Sequence, residues 1–333
     1  MWSWIKRFIL LILCIALLAA AELGWFAFGA VSLSSDSAEF SIKPGSSLKS
    51  ATRQMVESGV DLNSWQFNLL GRMLGKAGAI KAGSYEVGRG ITPLALLNKL
   101  SLGEVTQDEV VIIEGWNFRQ VRAALNVHPA VSHDSADFTD AQIMAILGAA
   151  GRSPEGMFFP DTYLFGKGAS DLNILKRAYK AMDRQLESMW QQRAPDLPYR
   201  SPYDALIMAS VIEKETGQAS DRALIGGVFV NRLRLGMMLQ TDPTVIYGMG
   251  DRFNGSLRKK DLLRDTPHNT YTRSGLPPTP ISMPGQASLQ AALNPAKTTA
   301  LYFVARGDGS SEFSRTLAEH ERAVNKYQRR GRH

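Results

Sequence analysis

The longest apolar stretch lies at the N-terminus, where Lys6 and Arg7 precede Phe8 to Ala21 and, after Glu22, the run resumes through Leu23-Gly24-Trp25-Phe26-Ala27-Phe28 to Val31. A helix needs about 20 apolar residues to cross a bilayer, so the two parts together predict one membrane span, with Trp25 and Phe28 suited to its interface. Positive charge on the short N-terminal side keeps that end cytoplasmic and exports everything after Val31. Glu22 is costly within such a span, and Ala19-Ala20-Ala21 before it resembles a signal-peptidase site. Both readings export the chain. The immediate return of apolar residues favours a retained anchor.

After a polar tether from Ser32 to Glu39, the pattern shortens. Phe40-Ser41-Ile42 alternates like a strand, Lys43-Pro44-Gly45-Ser46-Ser47 is turn and cap chemistry, and Leu48 to Ser58 is amphipathic at helical spacing. Further helices are expected over Ser64 to Leu74 and Pro93 to Leu100, around a strand from Lys81 to Val87. Residues 40–105 thus read as a small βααβα unit. Glu109 to Ile113 is a β-branched strand, Phe118 to Leu125 a helix, and Thr139 with Gln142 forms a capping box before another helix. Asp134, Asp137 and Asp140 there fit helix-start carboxylates better than metal ligands. A long helix from Leu172 to Gln192 closes an intermediate α+β unit, 106–195, and Ala194-Pro195-Asp196-Leu197-Pro198 is the joint to a last domain, 196–333. The fold class is α+β behind a single N-terminal transmembrane helix, with residues 1–39 as cytoplasmic stub, anchor and tether.

Composition narrows the chemistry. A net charge of +7 raises nucleic acid as a partner, but the basic residues are scattered apart from the tail Lys326, Arg329, Arg330, Arg332. Export removes nucleic acid and cytoplasmic nucleotides from the candidates and leaves envelope polymers. Cys14, the single cysteine, sits in the apolar run, so the exported part holds no internal disulfide and no thiolate metal site. His128, His133, His268, His320 and His333 lack metal-ligand spacing, no G-x-S-x-G is present, and Gly248-Met249-Gly250 lacks the setting of a nucleotide loop.

The strongest candidate for chemistry is the helix expected from Asp204 to Thr216 and ended by Gly217 as its C′ residue. At about 100° per residue, with Ile207 at the origin, Val211 lies at about 40°, Met208 at about 100° and Ile212 at about 140°. Glu215, at about 80°, falls in the middle of this apolar face, whereas Glu213, at about 240°, reads as the solvent acid. A carboxyl against apolar neighbours loses hydration and gains the raised pKa of a general acid. The alternative is that Glu215 bends out to water or pairs with Arg222 or Arg232. Met237 to Gly248 reads as alternating and turn-forming, and His268 to Tyr271 with Gly275 to Ile281 as a stiff loop offering donors, acceptors and a ring for sugar stacking.

Glu213-Lys214-Glu215-Thr216, Asn231-Arg232-Leu233, Gly236-Met237, Leu239 to Val245 with Tyr247, and Asn269-Thr270-Tyr271 with Gly275-Leu276-Pro277-Pro278 closely resemble the MltG (YceG-like) endolytic murein transglycosylases. The likeness extends back through Glu114-Gly115 and Phe159-Pro160-Asp161-Thr162 and forward to Asn294-Pro295-Ala296-Lys297 and Tyr302-Phe303-Val304-Ala305. His268 stands where that family often has Tyr, and Thr279 where Gly is common. The resemblance implies an inner-membrane anchor, a LysM-like first module, and a catalytic domain acting on periplasmic peptidoglycan strands with no metal or cofactor. Its acid is the second glutamate of E-K-E-T, Glu215, which cleaves between N-acetylmuramic acid and N-acetylglucosamine and leaves a 1,6-anhydro end. Thr216, Gln240, Asp242, Asn269 and Tyr271 are the expected sugar-holding and orienting residues, and peptidoglycan synthases or the elongation or division machinery the expected partners. Two alternatives remain: a hydrolytic muramidase with Asp242 or another carboxylate as partner of Glu215, and a non-catalytic glycan-binding scaffold.

Overall fold

Residues Trp2–Phe28 form one continuous helix, α1, in a computed structural model that describes residues 2–329. It is long and apolar enough to cross a membrane. Its last turns have another role: Leu23, Phe26 and Ala27 pack into the core of the following unit, and Glu22 accepts a hydrogen bond from Gln66 Nε2 at 3.1 Å. The helix ends at Phe28, short of the expected Val31, and the part after Glu22 is two-sided: Leu23, Phe26 and Ala27 face the core, while Trp25 and Phe28 are exposed.

The chain divides into two compact units, Met1–Asp108 with Leu164–Gly168, and Glu109–Tyr163 with Ala169–His333. In the first, β1 (Ser32–Leu33) pairs antiparallel with β3 (Val60–Asp61), and β2 (Ser37–Ile42) with β4 (Gly83–Gly88). Phe40 lies opposite Tyr85 in the second pair, with the rings stacked at 5.7 Å. Helices α2 (Leu48–Glu57), α3 (Ser64–Met73) and α4 (Pro93–Leu102) start at Ser47, Asn63 and Thr92, whose side chains accept first-turn N–H groups. Gly103 ends α4 at φ 77°, a conformation glycine adopts without a Cβ penalty. Met55, Phe67, Leu96, Leu97 and Leu100 form the fully buried centre.

From β5 (Gln107–Val111) the chain runs through α5 (Phe118–Asn126), β6 (Val131–Ser132), α6 (Asp140–Ile146), β7 (Thr162–Gly166) and β8 (Ala169–Ser170). The Thr139–Gln142 capping box opens α6 as its sequence requires. Helices follow: α7 (Asp171–Gln191), α8 (Pro202–Glu215), α9 (Ala219–Arg234), α10 (Asp242–Met249), α11 (Lys259–Leu262) and α12 (Gln286–Leu293). The chain then forms the antiparallel hairpin β9 (Tyr302–Ala305) and β10 (Ser311–Ser314), and α13 (Leu317–Val324). Of the basic tail, Lys326 places its ammonium over the ring of Tyr327 at 4.7 Å, and Arg330 and Arg332 lie outside the described residues.

Helix α8 is the axis of this unit. Ser201 caps it, Pro202 sits in its first turn, and α7, α9, α10 and α12 pack around it, so every residue from Asp204 to Ile212 is buried. Gly226 and Gly227 bring α9 close to its neighbours: a Cβ on Gly226 would stand 2.5 Å from the Ala291 carbonyl oxygen, and one on Gly227 2.5 Å from that of Ala296. Gly226→Ala is therefore expected to force α9 off α12 and destabilise the protein by about 1–3 kcal/mol, seen as a lower urea midpoint at unchanged slope.

Two local expectations are corrected. The segment read as alternating and turn-forming contains α10, because Thr241 in extended conformation with Asp242 and Pro243 in the first turn forms a helix start. The end of α8 is not a left-handed glycine. Thr216 breaks the helix in extended conformation at φ −147° and ψ 134°, and its hydroxyl accepts the Gln218 N–H at 2.9 Å.

Candidate active site

Because α8 is enclosed on all sides, its last three residues leave it in three directions. Glu213 is half-buried and accepts the Gly285 N–H at 2.9 Å, so it is a structural link and not the solvent acid expected from a one-faced helical wheel. Lys214 is exposed and donates to the Gly115 carbonyl at 3.2 Å. Glu215 is half-buried and lines a cleft of about 580 Å³.

The Thr241 hydroxyl donates to Glu215 Oε1. Thr241 is itself fixed: its N–H donates to Thr270 Oγ1 at 3.1 Å, and the Thr244 hydroxyl lies 2.7 Å from the Thr241 carbonyl and 2.9 Å from Thr270 Oγ1. All three threonines are buried. Burial removes hydration from the Glu215 carboxylate and pushes its pKa up to about 7. The Thr241 hydrogen bond and the Arg232 charge oppose that rise, and the Asp242 charge adds to it. Glu215 thus keeps a proton for a substantial part of the time at neutral pH, the state a general acid needs.

The other expected residues separate into two groups. Gln240, Asp242 and Tyr271 line the same cleft as Glu215. Gln240 holds φ 51°, uncommon for a residue with a Cβ, and its N–H donates to the Thr270 carbonyl at 3.1 Å. The Tyr271 hydroxyl donates to Asp242 Oδ1 at 2.6 Å. Asn269 and Thr216 do not line this cleft. Asn269 is fully buried, donating to the carbonyls of Leu262 at 2.9 Å and Arg264 at 2.7 Å while its Oδ1 accepts the Tyr271 N–H at 2.8 Å, so it shapes the loop that presents Tyr271. Thr216 terminates α8.

The cleft is also lined by Tyr302 and His320, which the local sequence did not single out for the site. Tyr302 on β9 and His320 on α13 stack at 5.2 Å, and the Arg232 guanidinium lies 5.1 Å from the Tyr302 ring centre. Buried Arg232 donates to the carbonyls of Leu301 at 2.6 Å, Met238 at 3.1 Å and Leu239 at 2.9 Å, tying the hairpin to the segment that carries Gln240 and Thr241. No short-range pattern announces this lining, since the C-terminal hairpin assembles it from residues far along the chain.

Glu155 is a buried acid that no local pattern in the sequence singles out. Its Oε1 accepts the Phe118 N–H at the start of α5 (3.0 Å) and its Oε2 the Tyr247 hydroxyl on α10 (3.1 Å), and burial pushes its pKa up to about 7. The Tyr247 ring meets His268 edge-on at 4.8 Å, and His268 Nε2 lies 2.9 Å from Thr279 Oγ1. The two departures from the resembled family's loop are thus hydrogen-bonded to each other. Among the described residues, no group of three or more His, Cys, Asp or Glu could hold a metal ion.

Comparison with known proteins places this geometry in a family. The model of the YceG-like family matches residues 40–326. The chain is 32% identical over 305 residues to an endolytic murein transglycosylase of Bacillus subtilis, covering 86% of this chain and 83% of that protein. It is 31% identical over 176 residues to one of Streptococcus pneumoniae, a match spanning 51% of this chain and 31% of that longer relative. A crystal structure of a yceG-like protein from Listeria monocytogenes superposes with a TM-score of 0.57 at 31% identity, covering 86% of this chain and 98% of the other. A cleft built around the second acid of E-K-E-T, a family match over residues 40–326 and a shared fold agree: the chain belongs to the YceG-like family.

Proposed function

We propose that this chain is an endolytic lytic transglycosylase of peptidoglycan, and the observation that carries the reading is a glutamic acid, hydrogen-bonded by a buried threonine, that lines a polar and aromatic cleft where burial raises its pKa. Glu215 protonates the oxygen bridging N-acetylmuramic acid to N-acetylglucosamine, and that bond breaks. Positive charge develops at C1, and the carboxylate left behind attracts it. The same carboxylate then takes the proton from the C6 hydroxyl as that oxygen bonds to C1, giving the 1,6-anhydro end. One residue serves both steps because the proton returns to it. Thr241 hydrogen-bonds the carboxylate, Arg232 adds a nearby positive charge and fixes the segment that carries Thr241, and Gln240, Asp242 and Tyr271 contact the sugars.

The same reading makes the βααβα unit of residues 40–105 a LysM-like glycan-binding module, residues 106–195 an intermediate unit and residues 196–333 the catalytic domain. Helix α1 retains the protein at the cytoplasmic membrane with its N-terminus inside, where it shortens nascent strands beside the synthases.

Purified full-length protein, in detergent, is expected to shorten isolated glycan strands internally, read by chromatography of strand lengths. Binding without shortening leaves only the scaffold reading. The rate is expected to fall as pH rises through about 7, because the acid form is lost. Thr241→Val removes a donor that favours the carboxylate, so it should raise the Glu215 pKa and move this alkaline limb to higher pH. A downward move of the limb contradicts the assigned hydrogen bond.

A further inference from the structure

A cleft of about 850 Å³ in the second unit does not contain Glu215. It adjoins the Glu215 cleft through consecutive residues. Lys214 lines one and Glu215 the other, and Pro243 lines one and Asp242 the other, so the end of α8 and the start of α10 form the ridge between them. A chain crossing that ridge passes directly from one cleft to the next.

The lining fits a sugar chain. The rings of Tyr247, Phe253 and His268 face it, offering apolar surfaces for the faces of pyranose rings. At the start of α5, Asn117 Oδ1 accepts the Gln120 N–H and Gln120 Oε1 accepts the Asn117 N–H, both at 2.9 Å. This reciprocal capping engages both amide oxygens and leaves the two NH₂ groups as donors for hydroxyl and acetamido oxygens. Arg119 at the rim is paired with Asp251 and so adds no free charge to the wall.

We infer that this second cleft is an extended saccharide subsite, holding the residues of the same glycan strand that lie beyond the scissile bond on one side. The inference rests on the transglycosylase reading for its ligand. It adds that cleavage is internal because the strand must occupy two clefts, one on each side of the α8–α10 ridge.

Hydrogen exchange of the full-length Glu215→Gln protein, with and without uncleaved glycan strands, reads both clefts at once. Protection is expected at residues 117–120 and 247–253 as well as at 240–242. Protection confined to the segments around Glu215 overturns the inference. Protection at 117–120 and 247–253 alone supports a saccharide subsite there while contradicting the reading of the Glu215 cleft. Phe253→Ala in the same background is expected to weaken strand binding about tenfold at unchanged thermal unfolding, a change of about 1.4 kcal/mol. Unaltered strand affinity overturns the inference.

Discussion

Glu215→Gln is expected to lower strand cleavage by roughly 10²–10⁴-fold, the range attributed to a positioned acid–base residue. Glutamine keeps the shape and can still accept the Thr241 hydrogen bond through its amide oxygen, but it has no proton to give to the bridging oxygen. The loss should appear in kcat with little change in strand affinity, because the variant removes an interaction that strengthens only as the bond breaks. Stability should move the other way. The folded pKa, about 7, lies above that of an unfolded glutamate, so the folded state holds the extra proton between those values. Stability from this group is therefore lost as pH rises from about 4.5 to about 7 and stays lost above that. Removing the charge should make the variant more stable than the parent at pH 8, on the order of 1–3 kcal/mol, and no more stable at pH 4. Thermal unfolding at the two pH values measures this difference.

The second large effect is structural. Arg232→Ala is expected to destabilise the protein by about 3–5 kcal/mol, because it leaves the carbonyls of Leu301, Met238 and Leu239 without their donor and empties the space beside Tyr302. Activity should fall with stability, since the same side chain anchors the segment that places Thr241 on Glu215. Arg232→Lys should recover only part of the loss, because one ammonium cannot reproduce a planar fork reaching three carbonyls. Denaturant unfolding and strand cleavage on the three proteins test this. A Lys variant equal to the parent in both contradicts the assigned role.

The sequence was most legible where cause and effect are near in the chain. The Ser47 and Thr139 caps and the long α7 helix follow from local spacing and cap chemistry. The helical wheel picked out Glu215 on a partly mistaken premise. It assumed one apolar face, whereas α8 is buried on every side, so Glu213 is held by Gly285 instead of facing water. Asn269 has the donors and acceptor of a sugar contact, but the fold uses the donors on backbone carbonyls of its own loop and the acceptor on the Tyr271 N–H. Tyr302, His320 and Glu155 were invisible locally because their partners lie far away in sequence: Arg232 for Tyr302, and Phe118 and Tyr247 for Glu155. Glu22, awkward in a continuous span, makes sense once Gln66 is found beside it.

The central claim is that Glu215 returns its proton from a sugar hydroxyl and that water takes no part. Digestion of glycan strands in ¹⁸O-labelled water, followed by mass spectrometry of the new ends, tests it directly. The account predicts 1,6-anhydro ends containing no ¹⁸O. Reducing N-acetylmuramic acid ends carrying one ¹⁸O each would contradict it and identify a hydrolase.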